Sequence, residues 1–195
     1  MKGASAPTAQ ATTDCRSFDH GGFRTFGEPS LTRALDEATI FAAETGDNEG
    51  RWFTITGNNG TGKTHLARAI WRHMKQHHYI YRCPITGANL ARTATMRSWR
   101  NLLSETYDGA WGQLEDLRDN WFVVIDDLLG ASDPRALGNS ITDRLAERDG
   151  RWTVLTSNLS IEAIAEKDRR LASRMVRGRN VAIQIGTVDY SLRKS

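Results

Sequence analysis

The stretch GNNGTGKT, residues 57–64, matches the pattern G-x-x-x-x-G-K-[ST] and decides the fold that we expect. The apolar run WFTITG at 52–57 leads into it, and a helical pattern follows with apolar residues four positions apart, at Leu66, Ile70 and Met74. Glycines in such a turn let the backbone fold round a phosphate, and the next helix adds partial positive charge at its N-terminus. The sequence therefore predicts a nucleotide phosphate-binding loop (P-loop), with an ordinary glycine-rich turn as the alternative.

This pattern also assigns chemistry to particular side chains. We expect Lys63 to reach the β- and γ-phosphates of ATP and the Thr64 hydroxyl to coordinate Mg²⁺. The residues expected to bind the nucleotide are Gly57, Asn58, Asn59, Gly60, Thr61, Gly62, Lys63, Thr64 and His65.

Polar residues end two further apolar runs. In FVVIDD, residues 122–127, we expect Asp126 to hold Mg²⁺ through water and Asp127 to orient or deprotonate an attacking water molecule. In WTVLTSN, residues 152–158, the Asn158 amide would bridge that water and the γ-phosphate. The alternatives are a pair of acids that cap a strand and a Ser-Asn turn.

Short strand-like runs alternate with helical patterns along the chain. Three strand-like runs lie at 52–57, at 121–127 (WFVVIDD) and at 152–158. Two more candidate strands are YIYRCPI from Tyr79 and VAIQI from Val181. This alternation predicts an α/β fold with a five-stranded parallel sheet flanked by helices and connected by right-handed crossovers. We expect one domain over residues 18–195 after a disordered polar tail at 1–17.

Composition excludes several classes of protein. Hydrophobic residues make up 39% and charged residues 25% of the 195 positions, which is typical of globular proteins in solution. No apolar run approaches the roughly 20 residues that cross a bilayer, and the first residues lack the apolar segment of a signal peptide. Two cysteines make no disulfide framework. We expect a cytoplasmic protein without membrane contact.

Positive charge is concentrated in DRRLASRMVRG, residues 168–178. The window 167–179 holds six basic residues and one acid, whereas the net charge of the whole chain is +3. At 100° per residue, Arg170, Arg174 and Arg177 share one face, opposite an apolar face of Leu171, Ala172, Met175 and Val176. Because the arginine face carries no acid, we expect it to meet phosphate, either a neighbour's ATP or DNA. A solvated surface is the alternative.

Two other regions carry basic residues. The helical pattern 63–78 contains Arg68, Arg72, Lys75 and four histidines without an acid, which favours a solvated or nucleic-acid-facing surface. Between 86 and 118, Trp99 stands among Arg92, Arg97 and Arg100, a combination that can stack on and clamp single-stranded DNA. Acids balance the charge of this second region, so the DNA role stays open there.

Four segments in this order resemble the AAA+ ATPases of the DnaC and IstB type, which are bacterial helicase loaders and transposition helpers. They are GNNGTGKTHLA, FVVIDDL, RLAERDGRWTVLTSNLS and DRRLASRM. The resemblance extends from about Phe23 to the C-terminus. It implies a five-stranded parallel sheet in which the strand bearing TSN lies between the strand of the P-loop and the strand of the paired acids.

The resemblance also implies roles for individual residues. Lys63 and Thr64 match the Walker A pair, Asp126 the Walker B magnesium ligand and Asn158 the sensor residue. Arg174 matches the arginine finger, with Arg170 as a second arginine one turn before it. Since such a finger reaches into the neighbouring subunit's nucleotide, the resemblance implies a homo-oligomer.

This sequence departs from the family pattern at three points. Asp127 stands where most AAA+ proteins have Glu, and its side chain is shorter by about 1.5 Å. We therefore expect slow ATP hydrolysis that depends on oligomerisation or DNA. Only 21 residues follow Arg174, so we expect no helical lid domain. We also expect the N-terminal helicase-docking region to be missing or reduced to the tail.

Several functions are compatible with these features. We expect an ATPase that binds single-stranded DNA and loads or remodels a replicative helicase of the DnaB type. The alternatives are an IstB-like transposition helper on duplex DNA, a P-loop small-molecule kinase and a non-hydrolysing ATP-gated adaptor.

Overall fold

The computed structural model describes residues 18–44, 49–77, 80–82, 89–109, 111–130 and 135–186, so the predicted tail at 1–17 lies outside them. The strands in this part are β1 (Trp52–Gly57), β2 (Ile80–Arg82), β3 (Asn89–Ala91), β4 (Ala94–Ser98), β5 (Phe122–Asp126), β6 (Trp152–Ser157) and β7 (Val181–Ile185). The helices are α1 (Pro29–Glu44), α2 (Lys63–His77), α3 (Trp99–Tyr107), α4 (Trp111–Asp119), α5 (Arg135–Ala146), α6 (Ile161–Lys167) and α7 (Arg169–Val176). No described helix has the length and apolar character to cross a bilayer.

Five strands form a parallel sheet in the order β4-β5-β6-β1-β7. The predicted five-stranded parallel sheet is confirmed, and β6 lies between β1 and β5 as the family resemblance implies. Ser157 pairs with Thr56, and Leu155 pairs with Ile125, so these strands end at the same edge of the sheet. This edge brings the P-loop and both polar strand ends together.

Helices cover both faces of the sheet. Successive strand residues point to opposite faces, and Phe53 and Val154 pack with α1 and α2, whereas Trp52 and Leu155 pack with α3, α5 and α7. Burial on both faces explains why every residue of β1 and β6 is buried, including the hydroxyl residues Thr54, Thr56, Thr153, Thr156 and Ser157.

The prediction of a main-sheet strand at YIYRCPI is wrong. Ile80–Arg82 is a strand, but it pairs antiparallel with Asn89–Ala91 in a separate ribbon. The fifth strand is β4, with the sequence ATMRS, at the edge beside β5. An edge strand that is only half-buried needs no apolar run, so the hydrophobic pattern did not reveal it.

Trp99 is buried in the core on the α3 side of the sheet. Ser98 caps the N-terminus of α3 by accepting the Asn101 N–H, which fixes Trp99 as the first helical residue. The Arg97 guanidinium lies 3.7 Å from the Glu105 carboxylate. The Arg92 guanidinium lies over the ring of Trp121, not of Trp99. Trp99 is therefore unavailable for stacking on DNA, a role that the sequence had left open.

Arg148 is fully buried without a carboxylate ion pair among the described residues, and its guanidinium joins α4 to β6. It donates at 2.6–3.1 Å to five acceptors, which are the carbonyls of Leu117, Arg118, Asn120 and Trp152 and the Thr153 hydroxyl. These bonds fix the loop before β5 against the start of β6, and so set the position of both strands that carry polar ends.

Replacing Arg148 by Met is expected to lower the free energy of unfolding by about 3 kcal/mol or more, because buried carbonyls lose their donors. Urea unfolding measures this loss. Arg151 is the matched control, since it bonds neighbouring carbonyls but its side chain is 41% exposed. Arg151→Met should cost less than about 1 kcal/mol, and equal losses for the two variants would contradict this role for Arg148.

Candidate nucleotide-binding site

The P-loop turns at glycines that have no space for a side chain. Gly57 has φ +144°, and a Cβ there would lie 2.5 Å from the Ile185 carbonyl oxygen of β7. Gly62 has φ +88°, and its Cβ would lie 2.8 Å from the Phe23 ring. The loop borders a cavity of about 480 Å³, a size that suits a small ligand. The cavity is lined by Asn59, Gly60, Thr61, Gly62, Lys63, Thr64, Asp127, Thr156 and Asn158.

Lys63 lies at the wall of this cavity with little of its surface exposed. Its Nζ donates to the carbonyls of Gly57 at 2.9 Å and Asn58 at 2.6 Å. Burial lowers the pKa of the Lys63 ammonium, and the carboxylates of Asp127 and Asp126 partly offset this shift. A cation with so little water around it attracts a phosphate more strongly than an exposed lysine does.

One carboxylate oxygen of Asp126 accepts hydrogen bonds from two hydroxyl groups. Thr64 Oγ1 donates to Asp126 Oδ1 at 2.8 Å, and Thr156 Oγ1 donates to the same atom at 2.6 Å. Hydroxyl and carboxylate oxygens are ligands that Mg²⁺ accepts. The described residues contain no cluster of three or more His, Cys, Asp or Glu side chains that could hold a metal ion by themselves. The donor set therefore fits an ion that Thr64 and Asp126 would hold together with nucleotide phosphates.

Asp127 adopts a left-handed backbone conformation, with φ +58°, that costs an L-residue about 1–2 kcal/mol. Its side chain borders the cavity, where the Asn158 amide donates to Oδ1 at 2.6 Å. Burial and then the neighbouring Asp126 raise the pKa of the Asp127 carboxyl, while Lys63 and Arg100 act in the opposite direction. A raised pKa makes a carboxylate a stronger proton acceptor.

Comparisons of the sequence find no matching family profile and no matching curated protein. Comparison of the structure finds the crystal structure of DnaI, with TM-score 0.67 and 18% identity over 90% of each chain. The DnaC helicase loader matches with TM-score 0.60 and 22% identity, over 80% of this chain and 90% of that one. AMPPCP-bound DnaA from Aquifex aeolicus matches with TM-score 0.60 and 18% identity, over 80% of this chain and 47% of that one.

This is a DnaC-type AAA+ fold. The chain spans about half the length of the DnaA structure, but nine tenths of the DnaC and DnaI structures. The likeness concerns the arrangement of the chain, because identity is 22% or lower.

Thr156 is a site residue that the sequence reasoning missed. Its buried hydroxyl donates to Asp126 Oδ1 and accepts the Asp127 backbone N–H at 2.9 Å, so one side chain orients both acids. Leu128 N–H also donates to the Thr156 carbonyl at 2.8 Å. Thr156 is the first residue of the TSN triplet, but the sequence-based prediction assigned a role only to the asparagine of that triplet.

Replacing Thr156 by Val keeps the shape of the side chain and removes its hydroxyl. We expect the Mg²⁺ concentration needed for half-maximal AMPPCP binding to rise about 10-fold or more, because partners behind a metal ligand tune metal affinity. A Mg²⁺ titration followed by the thermal shift of the protein measures this. Thr156→Ser keeps the hydroxyl and should behave like the wild type. The same Mg²⁺ requirement in Val and Ser variants would show that the hydroxyl has no such role.

His65 does not border the cavity in this DnaC-type fold, although the sequence placed it among the nucleotide-binding residues. The exposed ring lies beside Phe23, and its Nε2 is 3.1 Å from the His20 carbonyl oxygen and 3.0 Å from that of Gly21. The His65 side chain therefore links the N-terminal segment to α2. Contact between its backbone N–H and a nucleotide stays a prediction.

The arginine segment lies outside the cavity and differs from the expected unneutralised stripe. Arg170 pairs with Asp143 of α5, and Arg174 Nη1 lies 3.4 Å from Asp149 Oδ2. Arg177 is extended, with φ −83° and ψ 139°, because α7 ends at Val176, so it does not continue the helical face.

The apolar face of α7 matches the expectation in part. The side chains of Leu171, Ala172 and Met175 are buried, but Val176 is 54% exposed. Val176 is the last helical residue, where the chain turns towards Gly178 with φ +63°. Periodicity misplaced this residue because it assumed that the helix continues beyond it.

Proposed function

We propose that this chain is a DnaC-like ATPase that uses ATP and Mg²⁺, binds single-stranded DNA, and loads or remodels a replicative helicase. The observation that carries the proposal is the set of side chains at the shared edge of β1, β5 and β6. Here Lys63, Thr64, Asp126, Asp127 and Asn158 come together beside one cavity. Three separate segments of sequence supply them, and together they offer the phosphate-binding, metal-binding and water-orienting groups that ATP hydrolysis requires.

Each of these side chains has a chemical task. Lys63 neutralises phosphate charge, and bound Mg²⁺, held by Thr64 and Asp126, would supply further stabilisation of the charge on the phosphates. Asp127 accepts a proton from the attacking water while Asn158 holds the Asp127 carboxylate in position at 2.6 Å. The products are ADP and phosphate. The phosphate acceptor in this proposal is water, which separates it from a P-loop kinase.

Assembly into a homo-oligomer would complete the active site. Arg174 lies outside the cavity of its own chain, so its proposed action on phosphate is on the nucleotide of a neighbouring copy. Arg170, one turn earlier, would support the same contact. The short side chain of Asp127 favours slow turnover in a single chain. Arg174 of a neighbouring copy would raise turnover in an assembly.

The DNA and helicase parts of the proposal rest on the likeness to the DnaC helicase loader and on the basic surface of the chain. We expect single-stranded DNA to raise ATP turnover by about 5-fold or more, a usual size for coupling between two sites. Turnover is measured with a single-stranded oligonucleotide, with duplex DNA and without DNA. Stimulation by duplex DNA alone would support the IstB-like alternative, and no stimulation by either would contradict DNA action. Capture of a purified replicative helicase in an ATP-dependent pull-down tests the partner.

A further inference from the structure

Three exposed cations on the outer face of α2 form a row that no described carboxylate neutralises. Arg68, Arg72 and Lys75, hereafter the α2 cation row, follow each other at i, i+4 and i+7. At 100° per residue they lie within about 60° of one another on the helix surface. Nothing in the nucleotide site uses these side chains, since α2 contributes only Lys63 and Thr64 to the cavity.

This row differs from the other basic groups in the described residues because three cations without an ion pair share one face of a single helix. Among the ion pairs of this part of the chain, the arginines paired with Asp or Glu are Arg51, Arg97, Arg118, Arg144, Arg151, Arg170, Arg174 and Arg179. The helix α2 contains no acid. The sequence predicted positive charge without an acidic partner on the α7 arginines. The structure shows this property on α2 instead.

Neighbouring groups restrain two members of the row, Arg72 and Lys75, without neutralising them. The Arg72 guanidinium lies against the backbone of Gly21, where a Cβ would come within 2.5 Å of Nη2. Asp19, two residues earlier, directs its carboxylate to the Gly21 N–H at 2.8 Å. The Lys75 ammonium lies 4.8 Å from the centre of the Trp71 ring. Cations that are already positioned lose less entropy when an anion binds.

We propose that the α2 cation row binds the phosphate backbone of single-stranded DNA. This rests on the proposed function, in which the chain acts on such DNA. Seven residues of helix at 1.5 Å each separate Arg68 from Lys75, about 10 Å along the axis. In duplex geometry one DNA strand carries a phosphate about every 3.4 Å of helix axis, so a single strand with stacked bases would present about three phosphates to the three cations.

The chemistry of the row favours a single strand without recognition of bases. The Trp71 ring, the aromatic group of this face, is partly buried and covered by Lys75, so it offers no open surface on which a base can stack. A single line of cations matches the single line of phosphates of one strand. Contacts to phosphate position nucleic acid and carry no sequence information, so binding is independent of base sequence.

The test compares two triple variants with the same loss of charge. The first is Arg68→Gln, Arg72→Gln and Lys75→Gln, and the control is Arg33→Gln, Lys167→Gln and Arg169→Gln, which are also exposed and without an ion pair in the described residues. Fluorescence anisotropy with labelled oligo(dT) and with a duplex is recorded over a range of salt concentrations. For the α2 variant, the slope of log K against log salt on oligo(dT) should decrease by about 2, at about 0.7 for each lost contact.

The control variant should keep the wild-type slope, and both variants should keep wild-type AMPPCP affinity, which shows that the P-loop is intact. If the α2 variant and the control have the same slope while wild type binds oligo(dT), the row is not the site and the DNA function stands. If wild type binds no DNA, the DNA part of the proposed function fails together with this inference. A loss confined to duplex DNA would contradict the assignment to single strands.

Discussion

Replacement of Lys63 by Ala is expected to abolish ATP binding. The Lys63 ammonium is buried at the wall of the cavity. Among the described residues that line this cavity, Lys63 is the one cation, and it lies where we expect the phosphates of ATP. Removing one partner of a buried charge pair costs about 2–5 kcal/mol, which is roughly 30-fold to several-thousand-fold in Kd. Calorimetric titration with ATP and with AMPPCP in the presence of Mg²⁺ measures this change.

Lys75→Ala is the matched control, since it removes a lysine from the exposed face of the same helix. It should leave ATP affinity within about twofold of wild type, because exposed charges contribute little at this distance. The thermal midpoint of both variants without nucleotide checks that they fold. ATP affinity retained by folded Lys63→Ala would overturn the assignment of the phosphate-binding loop.

Replacement of Arg174 by Ala is expected to leave ATP binding intact and to lower turnover about 10³-fold, by analogy with arginine fingers of other NTPases. Arg174 does not border the cavity of its own chain, so binding there does not need it. Binding is followed with AMPPCP and turnover by phosphate release at high protein concentration. Arg169→Ala removes an exposed arginine of the same helix and should keep wild-type turnover.

A mixture of two inactive variants tests whether Arg174 acts on a neighbouring chain. Lys63→Ala keeps the arginine and lacks the loop lysine, whereas Arg174→Ala keeps the loop lysine and lacks the arginine. If the finger acts in trans, the mixture recovers part of the activity at intermediate ratios. No recovery at any ratio, with both variants able to assemble, would show that Arg174 does not act in this way.

The Arg174 side chain must leave Asp149 to reach a neighbour's phosphate. The two groups are 3.4 Å apart, and the side chains of Arg174 and Asp149 are 27% and 70% exposed, so water around the carboxylate weakens the pair. Breaking it costs less than about 1 kcal/mol, which a phosphate contact easily exceeds. The ion pair therefore holds the arginine near the surface without preventing the proposed contact.

Patterns of residues along the chain were sufficient for the main sheet and most of the site. Gly57, Lys63 and Asp126 follow or end buried apolar runs, and parallel strands that end at one edge bring such positions together. The order of the sheet, with β6 between β1 and β5, came from resemblance to a family, because no local pattern records which strands are neighbours.

Features that depend on distant partners could not be predicted. The edge strand β4 has no apolar run, and the bond between Thr156 and Asp126 joins residues 30 positions apart. The ion pair of Arg170 with Asp143 depends on how α7 packs against α5. Each of these requires the tertiary structure, since sequence periodicity describes one element at a time.

The contact of Gly57 with β7 has a consequence for synthesis of the chain. Ile185 lies against the turn that begins the phosphate-binding loop, 128 positions after it in sequence. During translation, GNNGTGKT leaves the ribosome long before the strand that supports it. Since domains generally fold as units, the loop is not expected to form until that strand is available. Nucleotide capture by stalled nascent chains should thus begin only after residue 185 emerges, and would report the moment at which this domain completes its fold.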